Sequence, residues 1–194
     1  TRNQFVWVPV ANPSDMYGTD KDGKKRGKLY NFSASGIIAE NWTEQGGVMS
    51  ITSETSYREP DVLESFDSSN SVTISQLETE FNNMIESVKR YGGFYIGRFE
   101  EGTANAKEST TKGTSAGPVS KINMYPYRSL TLPEAMDLTK KVNAGNRTCT
   151  LMYEVQWNLV LAHLHNKGNI SDTVLTQNSD SIGNTSSVSF TLNR

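Results

Sequence analysis

The strongest constraint in this sequence is a helix pattern that runs without a break into a strand pattern. Leu77, Phe81, Met84 and Val88 recur at spacings of four and three, which places them on one stripe of an α-helix. The stretch "GGFYIGRFEEG" at 92–102 follows directly and alternates as a strand does. This order predicts a domain in which helix and sheet are mixed.

The helix has local signals at both of its ends. Ser75 and Glu78 form an S-x-x-E capping box, so we expect the helix to begin at Ser75. Lys89 and Arg90 lie near its C-terminus, where positive charge complements the helix dipole. Gly92 can then adopt the left-handed conformation that ends a helix.

The strand that follows has apolar residues at both odd and even positions, and therefore on both of its faces. Phe94 and Ile96 share one face, and Tyr95 and Phe99 share the other. We therefore expect a central core strand that is covered on both sides.

The rest of the chain divides into shorter patterns. The stretch "QFVWVPV" at 4–10 predicts a buried strand, with Pro9 at its end or at a sheet edge. Residues 11–72 have no sustained period and are interpreted as an insertion of loops and short strands. Residues 101–120 predict a flexible loop, and 188–192 alternate as a last strand.

Two further helices are predicted. The first begins after Thr131, with Glu134 completing a capping box, and ends at Gly145. The second runs from about Tyr153 to Asn166. The expected inward residues are Leu132, Ala135, Met136, Thr139 and Val142 in the first helix, and Val155, Leu159, Ala162 and Trp157 in the second.

Composition excludes several classes of protein. With 194 residues and 35% hydrophobic residues, the chain suits one elaborated domain, 1–194. A net charge of −2 gives no basic field for nucleic acid, and no apolar run approaches the length of a membrane span. Cys149 is the one cysteine, which excludes an internal disulfide and cysteine zinc clusters.

The most metal-like motif is "DKDGK" at 20–24. With Gly23 at position six of a calcium loop, positions one and twelve would be Gly18 and Leu29, where calcium needs carboxylates. We interpret the motif as a turn at Asp22 and Gly23. His163 and His165 lie two residues apart on a helix and therefore face nearly opposite sides, so a shared zinc ion is not expected. The sequence thus predicts no metal site and no cofactor.

Three other candidates for chemistry have structural interpretations that we favour. Cys149 has no histidine close in sequence and is expected to be a small buried hydrophobe. Arg98 with Glu100 or Glu101 is expected to form an ion pair at a strand end, with Glu100 as a structural acid. The glycines before Phe94 follow a helix and precede a strand, which is the reverse of a phosphate-binding loop. No catalytic residue is predicted.

Four stretches in order resemble the N-terminal half of the formylglycine-generating-enzyme-like domain. They are "FVWVPV", "GGFYIGRFE", "PYRSLTLPEAMDL" and "LMYEVQW". They match that family's F-V-x-V-P strand, its F-Y-I-x-x-Y-E-V strand, and its helices that begin P-V-x-x-V-S-W-x-x-A and L-P-T-E-A-E-W. Leu132 stands where the family usually has Trp, and Phe99 where it has Tyr.

The resemblance implies an α+β C-type-lectin-like fold. Such a fold has a twisted, mostly antiparallel sheet flanked by two main helices, with long irregular loops; here the insertion would add a helix. It also implies that Trp157 anchors the last helix against the sheet. The apolar patterns begin and end close to the termini, so we expect an excerpt of a longer polypeptide that lacks the C-terminal half.

That half holds the family's reactive cysteines and its G-N-x-W-E-W and R-G-G-S-W stretches, none of which occurs here. The expected function is a non-catalytic ligand-binding or display domain of a bacterial surface, pilin-like or phage-tail protein. It would be extracellular or at the cell surface, with an unknown glycan or protein ligand. Two alternatives stay open: a truncated metal-dependent oxidase of the formylglycine-generating type, and a purely structural fibre or pilus domain.

Overall fold

The computed structural model describes residues 2–19, 23–27, 32–33, 36–37, 72–105 and 117–168. Its strands are β1 (Phe5–Pro9), β2 (Tyr17–Thr19), β3 (Lys25–Gly27), β4 (Phe32–Ser33), β5 (Gly36–Ile37), β6 (Gly93–Gly97), β7 (Glu101–Thr103), β8 (Val119–Ser120) and β9 (Tyr125–Pro126). Its helices are α1 (Ile74–Tyr91), α2 (Leu132–Thr139) and α3 (Glu154–Gly168). The expected α+β class is confirmed. Much of the insertion and the predicted strand at 188–192 lie outside the described residues.

The two most clearly predicted strands, which became β1 and β6, pair with each other. β1 and β6 form an antiparallel ribbon in which Trp7 lies opposite Tyr95 and Val8 lies opposite Phe94. Pro9 is the last residue of β1, as expected, because proline cannot donate a hydrogen bond within a ladder. In the described part of the chain the ribbon is two-stranded.

Helix α1 leads into this ribbon as predicted, but it begins earlier than expected. Thr73 is the N-cap: its hydroxyl accepts the Gln76 N–H at 3.2 Å, and its own N–H donates to Gln76 Oε1 at 2.8 Å. The prediction that Ser75 and Glu78 form the capping box was therefore wrong. At the other end Gly92 has φ of 75° and donates its N–H to Val88 O, which confirms the predicted stop.

The core lies between α1, α3 and one side of the ribbon. Phe81 and Ile85 are fully buried, and Phe81 meets the Tyr153 ring edge-on with centroids 5.0 Å apart. Ile85, which is not part of the predicted apolar stripe of this helix, is more deeply buried than Met84. The buried cluster consists of Val8, Val10, Met16, Phe81, Ile85, Val88, Phe94, Val155, Leu159, Val160 and Ala162.

Helix α2 is shorter than predicted. Its start agrees with the expectation, since the Thr131 N–H donates to Glu134 Oε2 at 2.8 Å. It ends at Thr139 rather than at Gly145, because the chain tightens there into turns in which the N–H of Val142 donates to Thr139 O. Val142 is nevertheless buried within these turns.

Helix α3 has the predicted place and most of the predicted inward residues, but Trp157 is 45% exposed. Val155 and Leu159 are buried, and each lies two residues from Trp157, or about 200° around the helix. The indole therefore points away from the core, and its expected role as an anchor against the sheet was wrong.

A small hairpin from the insertion is fastened to α1. Tyr17 of β2 lies under the ammonium groups of Lys25 and Lys89, which are 5.4 and 5.2 Å from its ring centroid. Glu86 accepts a hydrogen bond from each lysine at 3.0 Å, and these two bonds lower its pKa. Gly23, with φ of 77°, lies between β2 and β3, in agreement with the predicted turn; Asp22 lies outside the described residues.

A three-stranded antiparallel sheet follows the ribbon, with β7 between β8 and β9. The predicted loop over 101–120 is therefore wrong at both ends, where Glu101 pairs with Ser120. The Gln4 N–H donates to Ser120 O at 3.0 Å, which joins this sheet to the start of β1. As a result Glu101 is held beside the end of the ribbon.

Candidate functional site

The ribbon has two faces of opposite character. We call the side that carries Val6, Val8, Phe94 and Ile96 the inner face, and the side that carries Phe5, Trp7, Tyr95 and Gly97 the outer face. Phe94 is buried, whereas its neighbour Tyr95 is 52% exposed. The expectation that this strand is covered on both sides was therefore wrong, and the outer face is the candidate site.

An aromatic pair forms the centre of the outer face. The rings of Trp7 and Tyr95 lie 4.9 Å apart between centroids and are tilted by 60°, which is a favourable aromatic geometry. Their backbones are a directly opposed pair in the antiparallel ladder. The two rings are thus held by hydrogen-bonded strands rather than by a loop.

Glycines flank Tyr95 on this face and leave room for its neighbours. A Cβ at Gly93 would lie 2.6 Å from Cζ2 of Trp7 and closer still to the Val8 carbonyl oxygen, so the indole rests directly on the Gly93 backbone. A Cβ at Gly97 would lie 2.9 Å from Ser120 Oγ. The spacing of Gly93 and Gly97 around Tyr95 is the sequence signal that could have indicated a close-packed outer face.

A cation lies against the aromatic pair. The guanidinium carbon of Arg147 is 5.4 Å from the Tyr95 ring centroid, within the range of a cation–π interaction. Arg147 is exposed, and no carboxylate of the described residues forms an ion pair with it. Sequence reasoning missed this residue, because it lies in an irregular segment far along the chain from both rings.

A half-buried carboxyl group lies at the end of the same face. Oε1 of Glu101 would be 3.1 Å from a Cβ at Gly97, and Oε2 is buried without a hydrogen-bond partner among the described residues. Burial raises the pKa of Glu101 to about 7, because a charged carboxylate loses hydration there. At neutral pH this group is therefore close to half protonated.

Ser120 fixes the backbone that presents Glu101. Its hydroxyl is fully buried, donates to Phe99 O at 2.8 Å and accepts the Phe99 N–H at 3.1 Å. Both hydrogen bonds go to a single residue of the turn that precedes β7, so the turn is held on both its donor and its acceptor side. Glu101 follows that turn directly.

Cys149 lies close enough to Glu101 to feel its charge. Burial and the negative charge of Glu101 both raise the pKa of the thiol. A reactive thiolate needs the opposite shift, so this environment favours the protonated thiol. The prediction of a small buried residue is met in part, since Cys149 is half-buried, but the charge near it in space could not be seen in the sequence.

The charged residues next to Glu101 have other partners than those expected. Nη1 of Arg98 donates to Gln4 Oε1 at 3.1 Å, and its guanidinium lies over the Phe99 ring. Glu100 is exposed. The predicted pairing of Arg98 with a glutamate was therefore wrong, and the half-buried acid of this stretch is Glu101.

The remaining sequence candidates are not brought to this site. His163 is half-buried on α3, and the side chain of His165 lies outside the described residues, as do the two aspartates of "DKDGK". Among the described residues no cluster of three or more His, Cys, Asp or Glu side chains could hold a metal ion. In the same residues no helix has both the length and the apolar character to cross a membrane.

A concavity lies between helices α1 and α2. It has a volume of about 340 Å³ and is lined by Ser75, Thr79, Glu80, Met136 and Lys140, among others. Lys140 Nζ lies 3.6 Å from Glu80 Oε1, so its charges are already paired. It has no aromatic platform, and we place the candidate site on the outer face instead.

Comparisons with known proteins return nothing for this chain: no family model matches it, and neither a curated protein nor a solved structure resembles it significantly.

Proposed function

We propose that this chain is a non-catalytic ligand-binding or display domain of a bacterial surface, pilin-like or phage-tail protein, and that the outer face is its binding surface. The observation that carries this proposal is the exposed Tyr95 ring, which lies against the half-buried Trp7 on the ribbon and has Arg147 beside it. Extracellular display and a C-type-lectin-like fold belong to the same proposal. They rest on the four-stretch resemblance, and the antiparallel pairing of "FVWVP" with "GFYIG" is compatible with both.

The small free energy that Tyr95 gains from burial supports a role in ligand binding rather than in stabilising the fold. Tyr95 is more than half exposed, so it gains little from burial, and a polar residue at this position would serve solubility better. Aromatic rings on a surface supply large contact area for little loss of side-chain entropy on binding. An exposed tyrosine that packs on a tryptophan and lies next to a cation is therefore typical of a recognition surface.

The surface is also pre-organised. Hydrogen bonds between β1 and β6 set the spacing of the two rings, and the inner face is locked by Val8 and Phe94, which are 1% and 9% exposed. Rigidity in the free state lowers the entropy lost on association. This supports ligand binding on strands without movement of a loop.

The test is a screen of the intact chain on glycan and protein arrays, with Tyr95→Ala compared with Tyr125→Ala. Both tyrosines are 52% exposed, so the two variants remove the same group from equally exposed positions. We expect the bound spots to be lost in Tyr95→Ala and kept in Tyr125→Ala. Equal binding by both variants, or silent arrays together with metal-dependent oxidase turnover, would contradict the proposal.

A further inference from the structure

Arg147 gives the outer face a specific chemical preference. Its guanidinium contacts the Tyr95 ring and leaves its N–H donors to solvent, since no other partner occurs among the described residues. A guanidinium held in this way can bind a carboxylate through two parallel N–H···O bonds. The face of the adjacent Tyr95 ring carries a partial negative charge, so it can contact the weakly positive C–H groups of a ring-shaped ligand.

We propose that the outer face binds a carboxylated sugar residue, with the pyranose ring packed against the exposed Tyr95 ring and its carboxylate on Arg147. This inference rests on the proposed function and names the ligand class of that same site. The carboxylate is assigned to Arg147 by charge complementarity, and the pyranose ring to Tyr95 by shape.

The size of the platform selects a small ring over a protein partner. The exposed aromatic surface is essentially the single Tyr95 ring, because Trp7 is half-buried and tilted by 60° against it. A stable protein interface needs on the order of 1,000 Å² or more in total. The groups that the structure places around the rings are Arg147 and Glu101, so the site combines one small apolar surface with polar groups at its rim.

The nearby acid does not cancel the charge of Arg147. Glu101 is tucked against the Gly97 backbone, and burial raises its pKa to about 7. Below that pH it is mostly uncharged, and Cys149 beside it is a neutral thiol. Among these three groups, the lasting charge at neutral or mildly acidic pH is the positive charge of Arg147.

The experiment titrates the intact chain with a galacturonic acid trisaccharide and with its methyl ester, and measures affinity by calorimetry at pH 6. The two ligands have the same rings, and only the acid carries a charge. We expect the acid to bind about tenfold more tightly, which is the difference a charge-assisted pair makes at an exposed site. We expect Arg147→Gln to remove that difference and Tyr95→Ala to weaken both ligands.

Arg128→Gln is the matched control, because Arg128 is an exposed arginine that makes no ring contact among the described residues. It should leave both affinities unchanged. Equal affinity for acid and ester, or an acid preference that survives Arg147→Gln, overturns this inference. If neither trisaccharide binds while Tyr95→Ala still abolishes binding on the arrays, the ligand class is wrong and the proposed function stands. If Tyr95→Ala changes nothing in either experiment, both fail.

Discussion

The two faces of the β1–β6 ribbon are built from the same two strands and differ only in the parity of their residues. On the inner face Val8 and Phe94 are buried under α1 and α3. On the outer face the half-buried Trp7 lies opposite the exposed Tyr95, and Arg147 lies against the Tyr95 ring. Apolar character at both parities therefore does not mean burial on both sides.

We expect the two faces to contribute to different properties, the inner face to stability and the outer face to recognition. Residues of the inner face gain free energy from removal of apolar area from water, and their exchange should unfold the protein. On the outer face Tyr95 is more than half exposed and gains little from burial, so this position is free to be chosen for recognition. Four substitutions, in order of decreasing expected effect on the free energy of unfolding, test this difference.

Phe94→Ala should have the largest effect. Phe94 is 9% exposed within the core cluster, and removal of a buried phenyl ring costs about 3–5 kcal/mol in transfer and cavity free energy. Urea unfolding followed by circular dichroism measures this loss. A loss below that of Tyr95→Ala on the adjacent residue would mean that the two faces have been assigned the wrong way round.

Gly93→Ala should come second. The added methyl group would collide with the Val8 carbonyl oxygen and with the Trp7 indole, and overpacking of this kind costs about 1–3 kcal/mol. Gly92→Ala is the control, since a Cβ there meets nothing within 4 Å and the cost is only that of φ at 75°, about 1 kcal/mol. An effect of Gly93→Ala no larger than the control would show that Trp7 does not rest on this backbone. Chemical denaturation of both variants decides between these outcomes.

Glu101→Gln should change how stability depends on pH. The folded-state pKa of Glu101 is raised to about 7 from an ordinary value of 4.5, so the native state holds its proton more tightly than the unfolded state does. The stability that this proton contributes is fully present below pH 4.5 and is lost as pH rises through 7. The glutamine variant keeps a neutral group, so it should match the parent at pH 4 and exceed it at pH 8.

We expect an excess of about 1–2 kcal/mol at pH 8, reduced from the full linkage value because the carboxyl is partly solvated. Urea midpoints at pH 4, 6 and 8 for both proteins give this comparison. Glu100→Gln at the exposed neighbouring position is the control, since it removes the same charge without a buried carboxyl. A difference between Glu101→Gln and the parent that does not change with pH, or that Glu100→Gln reproduces, would place the Glu101 carboxyl in solvent.

Tyr95→Ala should have the smallest effect on stability. It removes a ring that is more than half exposed, together with its contacts to Trp7 and Arg147, and we expect a cost of about 1 kcal/mol or less. Thermal unfolding by calorimetry would detect it. A cost near that of Phe94→Ala would mean that the outer face is a second core and not a recognition surface.

The helices show how far local reasoning reaches. Their locations followed from apolar spacing, and two boundaries, Gly92 and Thr131, followed from capping chemistry. The start of α1 did not, because Thr73 with Gln76 and Ser75 with Glu78 both satisfy the same local rule. The end of α2 did not either, because the chain leaves the helix at Thr139, well before Gly145, the residue that the capping rule picks out.

By itself the sequence determined that residues 93–97 alternate, and therefore that the ribbon has one face with Phe94 and one with Tyr95. Only the tertiary structure decided which face α1 and α3 cover, and that Arg147, Glu101 and Cys149 are gathered on the other. The reason is the distance in sequence over which each property is set. Alternation is a property of neighbouring residues, whereas the covering of a face depends on contacts between segments far apart in the chain, whose geometry no local pattern encodes.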